Sequence, residues 1–173
     1  FPAGYRERFA AHSAVVDMQH LLNLTEAKPL VMSFYQPLGH VTGQQELHCK
    51  LYHADTPLAL SDVLPILENL GLRVVTEHPY RIEVDGSPVY IQDFEVESTF
   101  AGLDVDRAAG DFAEAFERLW RGDAENDGLN RLILAASLTW RQVALLRGYG
   151  KYLMQVGVPF SQSYVEETLG RYP

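Results

Sequence analysis

Residues 51–84 read LYHADTPLALSDVLPILENLGLRVVTEHPYRIEV. The stretch opens on a strand and turns at Asp55, Thr56, Pro57 and Leu58. Val63, Ile66, Leu67 and Leu70 then recur at the i, i+3, i+4, i+7 spacing of one helical face. Ser61 is the expected N-cap, and Asp62 suits the positive end of the helix dipole. Pro65 falls early enough in this helix to remove little hydrogen bonding. Gly71 fits the stop one residue past the helix, where a left-handed conformation is needed. Leu72–Val75 and Tyr80–Val84 read as one long or interrupted strand, with Pro79 as the interruption. Asp85-Gly86 is a hairpin signal.

Working outward, Leu47, Cys49 and Leu51 share one face of the preceding strand, with His48, Lys50 and Tyr52 on the other. The strand from Pro88 to Glu97 changes phase. Val89 and Ile91 lie on one face, Phe94 and Val96 on the other. Either a bulge near Gln92-Asp93 reconciles them or the strand is covered on both faces. Upstream, Ser13 is the expected cap of a first helix running to Leu24, with Val15, Val16, Met18 and Leu22 as its stripe. Leu30, Met32 and Phe34 alternate in a further strand. Residues 37–45, PLGHVTGQQ, form a turn-rich connection.

Beyond residue 100 the pattern is helical throughout. Asp104 or Asp106 caps a helix striped by Ala109, Phe112, Phe116, Leu119 and Trp120 and ended at Gly122. A second carries Leu129, Leu132, Ile133 and Ala136. Thr139 with Gln142 forms a capping-box pattern at the start of a third. That helix is apolar around much of its circumference, so it packs against more than one neighbour. Ser161 caps the last helix, through Leu169.

These elements give an α+β fold: a four-stranded, mostly antiparallel sheet with two helices on one face, followed by an all-helical extension. The expected division is 1–122 for the sheet domain with its N-terminal helix and 123–173 for the helical motif. In a βαββαβ unit the last strand follows the second helix. Here the chain turns helical instead, so the strand at 29–36 is expected to fill that sheet edge.

The 173 residues suffice for a sizeable core. No apolar run is long enough to span a membrane, and no signal peptide opens the chain. The start at Phe1-Pro2, without Met, reads as a piece of a longer protein. A single cysteine, Cys49, cannot form an internal disulfide, and the reducing cytoplasm is the expected compartment. The net charge of −9 argues against nucleic-acid binding. Residues 1–98 hold 6 Lys and Arg against 13 Asp and Glu, a balance of −7; residues 99–173 hold 8 against 10, or −2. A solvated acidic face accounts for this asymmetry.

Catalytic chemistry has no recognisable constellation. His12, His20, His40, His48, His53 and His78 are scattered, and no two sit four apart on a helix as zinc ligands would. Asp123, Glu125, Asp127 and Gly128 imitate the start of a calcium loop, but position twelve is Leu134 rather than a bidentate Glu. Capping through Asn126 or Asp127 is the better reading. Gly39 and Gly43 precede a strand, not the helix N-terminus that a phosphate cradle needs. No G-x-S-x-G elbow occurs, and Cys49 has no base partner. Arg118, Arg121, Arg131, Arg141, Arg147 and Lys151 read as solvated helix faces, Trp120 and Trp140 as core.

The stretch 51–84 resembles the ACT-domain pattern, a strand, a Pro-containing turn, a helix ending in L-G and a second strand. The usual Pro-Gly of that turn is here Pro57-Leu58, and the lost glycine closes off backbone approach by a ligand. More specifically, PLALSDVLPILENLGLRV, RGDAENDGLNRLIL, LTWRQVALLRGYGKYL and FSQSYVEETLGRYP, in that order, resemble the large bacterial NAD-specific glutamate dehydrogenases. The matching region is a non-catalytic ACT-like (ferredoxin-like) and helical segment preceding the catalytic domain. The resemblance implies a parent homo-oligomer that converts L-glutamate, NAD and water to 2-oxoglutarate, ammonia and NADH in amino-acid catabolism. It implies no catalytic, cofactor-binding or metal residue in this segment. NAD belongs to the parent enzyme. The expected partners are other domains and subunits, met through exposed apolar positions of the sheet or of the 139–156 helix. The alternative is an amino-acid effector bound at Asp55, Thr56, Pro57 and Leu58. A self-sufficient enzyme is the third and least favoured reading.

Overall fold

The computed structural model describes residues 1–37, 47–100 and 102–172. The connection read at 37–45, with Gly39, His40 and Gly43, lies outside the described residues from position 38 onward. In chain order the elements begin with α1 (Ala3–Arg8), α2 (Ala11–Leu22), β1 (Leu30–Tyr35) and β2 (Leu47–Ala54). Next come α3 (Leu60–Asn69), β3 (Leu72–Val84), β4 (Ser87–Ser98) and α4 (Val105–Trp120). A 3-10 turn (Gly128–Arg131) leads into α5 (Leu132–Ala135), α6 (Trp140–Gln155) and α7 (Gln162–Arg171).

The sheet has the order β1-β2-β4-β3, and each neighbouring pair is antiparallel. β1 takes the edge beside β2, where the last strand of a βαββαβ unit would lie. Helices α3 and α4 share one face, α3 against β3 and α4 over β1. Leu30, Phe34, Leu47, Cys49, Leu51, Phe94 and Val96 pack there with Val63, Leu67, Phe112 and Phe116. The same core continues through Leu129, Leu132, Ile133, Leu134 and Val143, so the C-terminal helices close one end of it.

The opposite face is covered as well. Val31, Tyr52, Tyr80, Ile82, Val89 and Ile91 form a second apolar cluster beneath Tyr5 of α1 and Leu21 of α2. This explains the phase change in β4. The strand alternates regularly and carries apolar residues to both layers, so the two-faced reading is right and no bulge lies at Gln92-Asp93. The register shift falls in β3, between Val74 and Thr76. Because the side-chain period of a strand is two, one extra residue reverses every later position. Leu72 and Val74 thereby face α3, while Tyr80 and Ile82 face α1. Pro79 does not interrupt β3. It pairs with Gln92 on an edge strand, where a missing donor is tolerated.

Two helix starts differ from expectation. The first helical stretch is two helices, and Ala10, not Ser13, is the N-cap of α2. Its apolar residues Val15, Val16 and Leu22 point outward, whereas Asp17 and Leu21 are buried. The docking side is chosen by a polar contact, which apolar periodicity does not reveal. Helix α3 begins at Leu60 with Ala59, which has no polar side chain, as N-cap, and Ser61 lies inside the helix with its hydroxyl donating to Asp62 Oδ1 at 3.3 Å. The sequence between Leu129 and Ala136 is a 3-10 turn plus one helical turn rather than a single helix. Other local signals hold. Asp104 accepts Arg107 N–H, Thr139 and Gln142 form the capping box, and Ser161 accepts Tyr164 N–H. Asp85 and Gly86 both have positive φ, 50° and 79°, as a tight hairpin requires.

Gly71 has φ +90°, and a Cβ there would stand 3.0 Å from Phe100 Cζ. Its carbonyl also accepts Thr99 N–H at 3.1 Å and Thr99 Oγ1–H at 2.9 Å. Gly71→Ala is expected to cost about 2 kcal/mol, from the left-handed backbone and the displaced ring. A urea midpoint equal to that of the wild-type chain would refute this.

Candidate functional site

Three places concentrate chemistry. The first is the expected effector loop. Asp55 holds φ 70°, and its N–H donates to Pro88 O at 3.3 Å. Leu58 N–H donates to Gln92 Oε1 at 3.0 Å, and Gln92 Nε2 donates back to Leu58 O at 3.2 Å and to Glu77 Oε1 at 3.1 Å. His53 Nε2 lies 3.0 Å from the same Oε1. Gln92 therefore occupies the Leu58 backbone groups that a ligand in this turn would use. The structure gathers Asp55, Thr56, Pro57 and Leu58 in one loop, but it ties that loop to β4 from within.

Burial pushes the His53 pKa below its ordinary value, opposed by the Gln92 hydrogen bond. His20, stacked on Tyr52 at 4.8 Å, is lowered for the same first reason, burial. The unfolded chain thus binds more protons than the folded one below the unfolded histidine pKa of about 6.5, and stability falls as pH drops through that value. Urea midpoints at pH 7.5 and 5.5 are expected to show this loss. The His20→Asn, His53→Asn double variant should flatten the profile; an unchanged slope would exclude both histidines as its source.

The second place is a cleft of about 560 Å³ between α1–α2 and the β1–β2 edge. Phe9, Ala10, Val16, Tyr35 and Pro37 wall it, and His48 and Lys50 form its floor. Lys50 is only 1% exposed. Its Nζ donates to Asp17 Oδ2 at 2.7 Å and sits 3.7 Å from the centroid of the Phe9 ring, with Tyr35 at 5.4 Å and Tyr5 at 5.7 Å. A buried ammonium needs such a counterion, and facing rings stabilise it further. The Asp17 carboxylate also accepts the hydroxyls of Tyr5 and, at 2.8 Å, Tyr52. Burial, followed by the Asp17 hydrogen bond for Tyr5 and the Asp17 charge for Tyr52, holds both phenols well above their ordinary range. Beside this group, His48 Nδ1 lies 3.0 Å from Asp93 Oδ1, and Arg8 pairs with Glu95 and, at 3.7 Å, with Asp93.

The third place is the outer face of α6 and α7. Leu145, Tyr149, Tyr152 and Val156 stand at i, i+4, i+7 and i+11, between 56% and 61% exposed. Phe160 and Tyr164, stacked at 5.0 Å and also exposed, extend this face. The inner side of α6 is anchored by Val143 and by Arg147, which is 6% exposed. Arg147 donates from Nε to Asp127 Oδ2 at 2.5 Å and from Nη2 to Asp127 Oδ1 and Asn130 Oδ1, each at 2.9 Å. Asp127 in turn accepts Leu129 N–H at 3.1 Å, so the calcium-like stretch is a cap and an ion-pair partner. Arg147 departs from the solvated reading of the helical arginines. Its signal in the sequence was only its period, four residues after Val143 on the inner stripe.

Among the described residues, no group of three or more His, Cys, Asp and Glu side chains could hold a metal ion, and no helix is long and apolar enough to cross a membrane. The Cys49 thiol is buried on the α3–α4 face, and burial raises its pKa well above the ordinary value. It is a packing residue. Both faces of the sheet are covered, and exposed apolar residues among the described ones lie on α2 (Val15, Val16, Leu22) as well as on α6 and α7, where the run is longest.

Comparison with known proteins gives three family matches. Residues 29–108 match the glutamate dehydrogenase ACT3 domain, 124–173 the glutamate dehydrogenase helical motif 3, and 1–24 the glutamate dehydrogenase helical motif 2. The chain is 59% identical to an NAD-specific glutamate dehydrogenase of Pseudomonas aeruginosa, over 99% of its own length and 11% of that relative. It is 45% identical to one of Halomonas elongata, over 100% of its length and 11% of the relative. A third, from Mycobacterium tuberculosis, is 43% identical over 66% of this chain and 8% of the relative. The chain thus spans about a tenth of the length of these relatives.

Proposed function

We propose that this chain, which belongs to the NAD-specific glutamate dehydrogenase family and carries its ACT3 domain with helical motifs 2 and 3, is a docking segment of a larger enzyme. In this reading the longer polypeptide oxidises glutamate to 2-oxoglutarate with NAD in the cytoplasm. The segment holds its domains or subunits in place and bears no catalytic group. The observation that supports it is the α6–α7 face. Large exposed apolar residues in a contiguous stripe mark an interaction surface rather than a solvated one. The covered sheet leaves no comparable apolar surface there.

Tyr149→Asp with Tyr152→Asp in the full-length enzyme tests this. Both side chains are already exposed, so the segment itself keeps its fold. The expected outcome is a loss of assembly by sedimentation and a fall in glutamate-dependent NAD reduction. Unchanged sedimentation and activity would overturn the reading. The 173-residue chain alone is expected to reduce no NAD with glutamate.

One observation favours a second reading, an amino-acid effector site. The cleft over Lys50 is open, apolar-walled and floored by a buried cation, whereas the Asp55–Leu58 loop has its backbone groups occupied. An effector would lie against Phe9, Val16 and Tyr35, with Lys50 beneath them already neutralised by Asp17. Calorimetry of the chain with a panel of amino acids tests it, and absence of heat with every member would dismiss it.

A further inference from the structure

Helix α6 carries two interior glycines, Gly148 and Gly150. Glycine is the poorest helix former after proline, so each needs a reason to be there. Gly150 faces α7, where Val165 Cγ1 stands 3.9 Å from the position a Cβ would occupy. Gly148 has no such neighbour. It is exposed, and a Cβ there would meet nothing within 4 Å. Nothing in the described residues requires glycine at this position.

Its place on the helix supplies a reason. Gly148 lies three residues after Leu145 and four before Tyr152, beside the exposed stripe Leu145, Tyr149, Tyr152, Val156. The missing side chain leaves a notch flanked by two large apolar groups. Helices pack by seating the ridges of one in the grooves of the other, and the distance between axes is set by the side chains at the crossing. A stripe about 16 Å long with a notch at its edge fits one helix crossing closely at that point.

We propose that α6 receives, across Gly148, an apolar helix from elsewhere in the same longer polypeptide. The inference rests on the docking reading above and names its partner and contact point. The choice of occupant follows from length. The chain matches only 11% of its relatives, so most of such a polypeptide lies outside these 173 residues. A tethered helix also acts at high effective concentration, which lets a stripe of modest size stay covered.

The test uses tyrosine nitration by tetranitromethane, read by mass spectrometry at Tyr149 and Tyr152. In the 173-residue chain both are expected to react freely, with the chain monomeric by sedimentation. In the full-length enzyme they should react at least tenfold more slowly. Gly148→Leu in the full-length enzyme should restore the fast rate by filling the notch. In the 173-residue chain Gly148→Ala and Gly148→Leu should both raise Tm, because helix propensity improves and no contact is lost. Protection that survives Gly148→Leu would overturn the crossing while leaving docking intact. Equal labelling of chain and enzyme would overturn both. A 173-residue chain that dimerises until Gly148→Leu is introduced would give the face to a second copy and overturn the choice of partner.

Discussion

Asp17→Ala is expected to cost about 3–5 kcal/mol, the range for stranding a buried charge. The Lys50 ammonium is 1% exposed and has Asp17 as its carboxylate partner at 2.7 Å. Removing that carboxylate also strips the acceptor from the Tyr5 and Tyr52 hydroxyls. The damage should concentrate on α1 and α2, since Tyr5 of the first and Asp17 of the second meet in this buried group. Hydrogen exchange in residues 1–24 should accelerate first, and Tm should fall by about 6–20 °C for a chain of this size. Asp17→Asn with Lys50→Met removes both charges yet leaves a carbonyl oxygen for the tyrosines. It should be more stable than Asp17→Ala alone. A loss below 1 kcal/mol for Asp17→Ala would show that the buried pair does not hold this layer together.

The second large effect is at Arg147. Arg147→Ala is expected to lose about 3 kcal/mol, because Asp127 and buried Asn130 are both left without their shared donor. The Asp127 hydrogen bond raises the guanidinium pKa, with burial opposing, so Arg147 stays charged throughout the usual pH range. Arg147→Lys should recover less than half of the loss, since an ammonium cannot span Asp127 and Asn130 in the same plane. Thermal unfolding of the three chains decides it, and a lysine variant as stable as wild type would refute the bidentate account. The loosened elements would be α6 and the 3-10 turn, so this variant should also weaken any docking on the outer face of α6.

Much of the fold was legible because its signals are local. The α3 stripe, the left-handed Gly71, the Asp85-Gly86 turn, the Thr139–Gln142 box and the Asp104 and Ser161 caps each depend on a few neighbouring residues. β1 at the sheet edge followed from counting elements. The N-terminal layer was misread for a physical reason. Val15, Val16 and Leu22 look like a buried stripe, yet α2 turns Asp17 inward to meet Lys50, whose partner is 33 residues away in sequence. The same limit applies to the site. The Asp55–Leu58 loop could be named from its motif, but its closure depends on Gln92, distant in sequence and adjacent only through the β2–β4 register.

The sequence by itself determined the fold class, the order of the strands along the chain, the caps at Asp104, Thr139 and Ser161 and the family, because these rest on short-range periodicity, turn chemistry and ordered motifs. Tertiary structure alone decided which faces are covered, where β3 shifts its register, how Lys50 and Arg147 are neutralised, and that the apolar side of α6 is left outward. Those outcomes depend on which side chains meet across the sheet and between layers. Pairings between residues dozens of positions apart are fixed by packing and charge compensation, and no local pattern carries them.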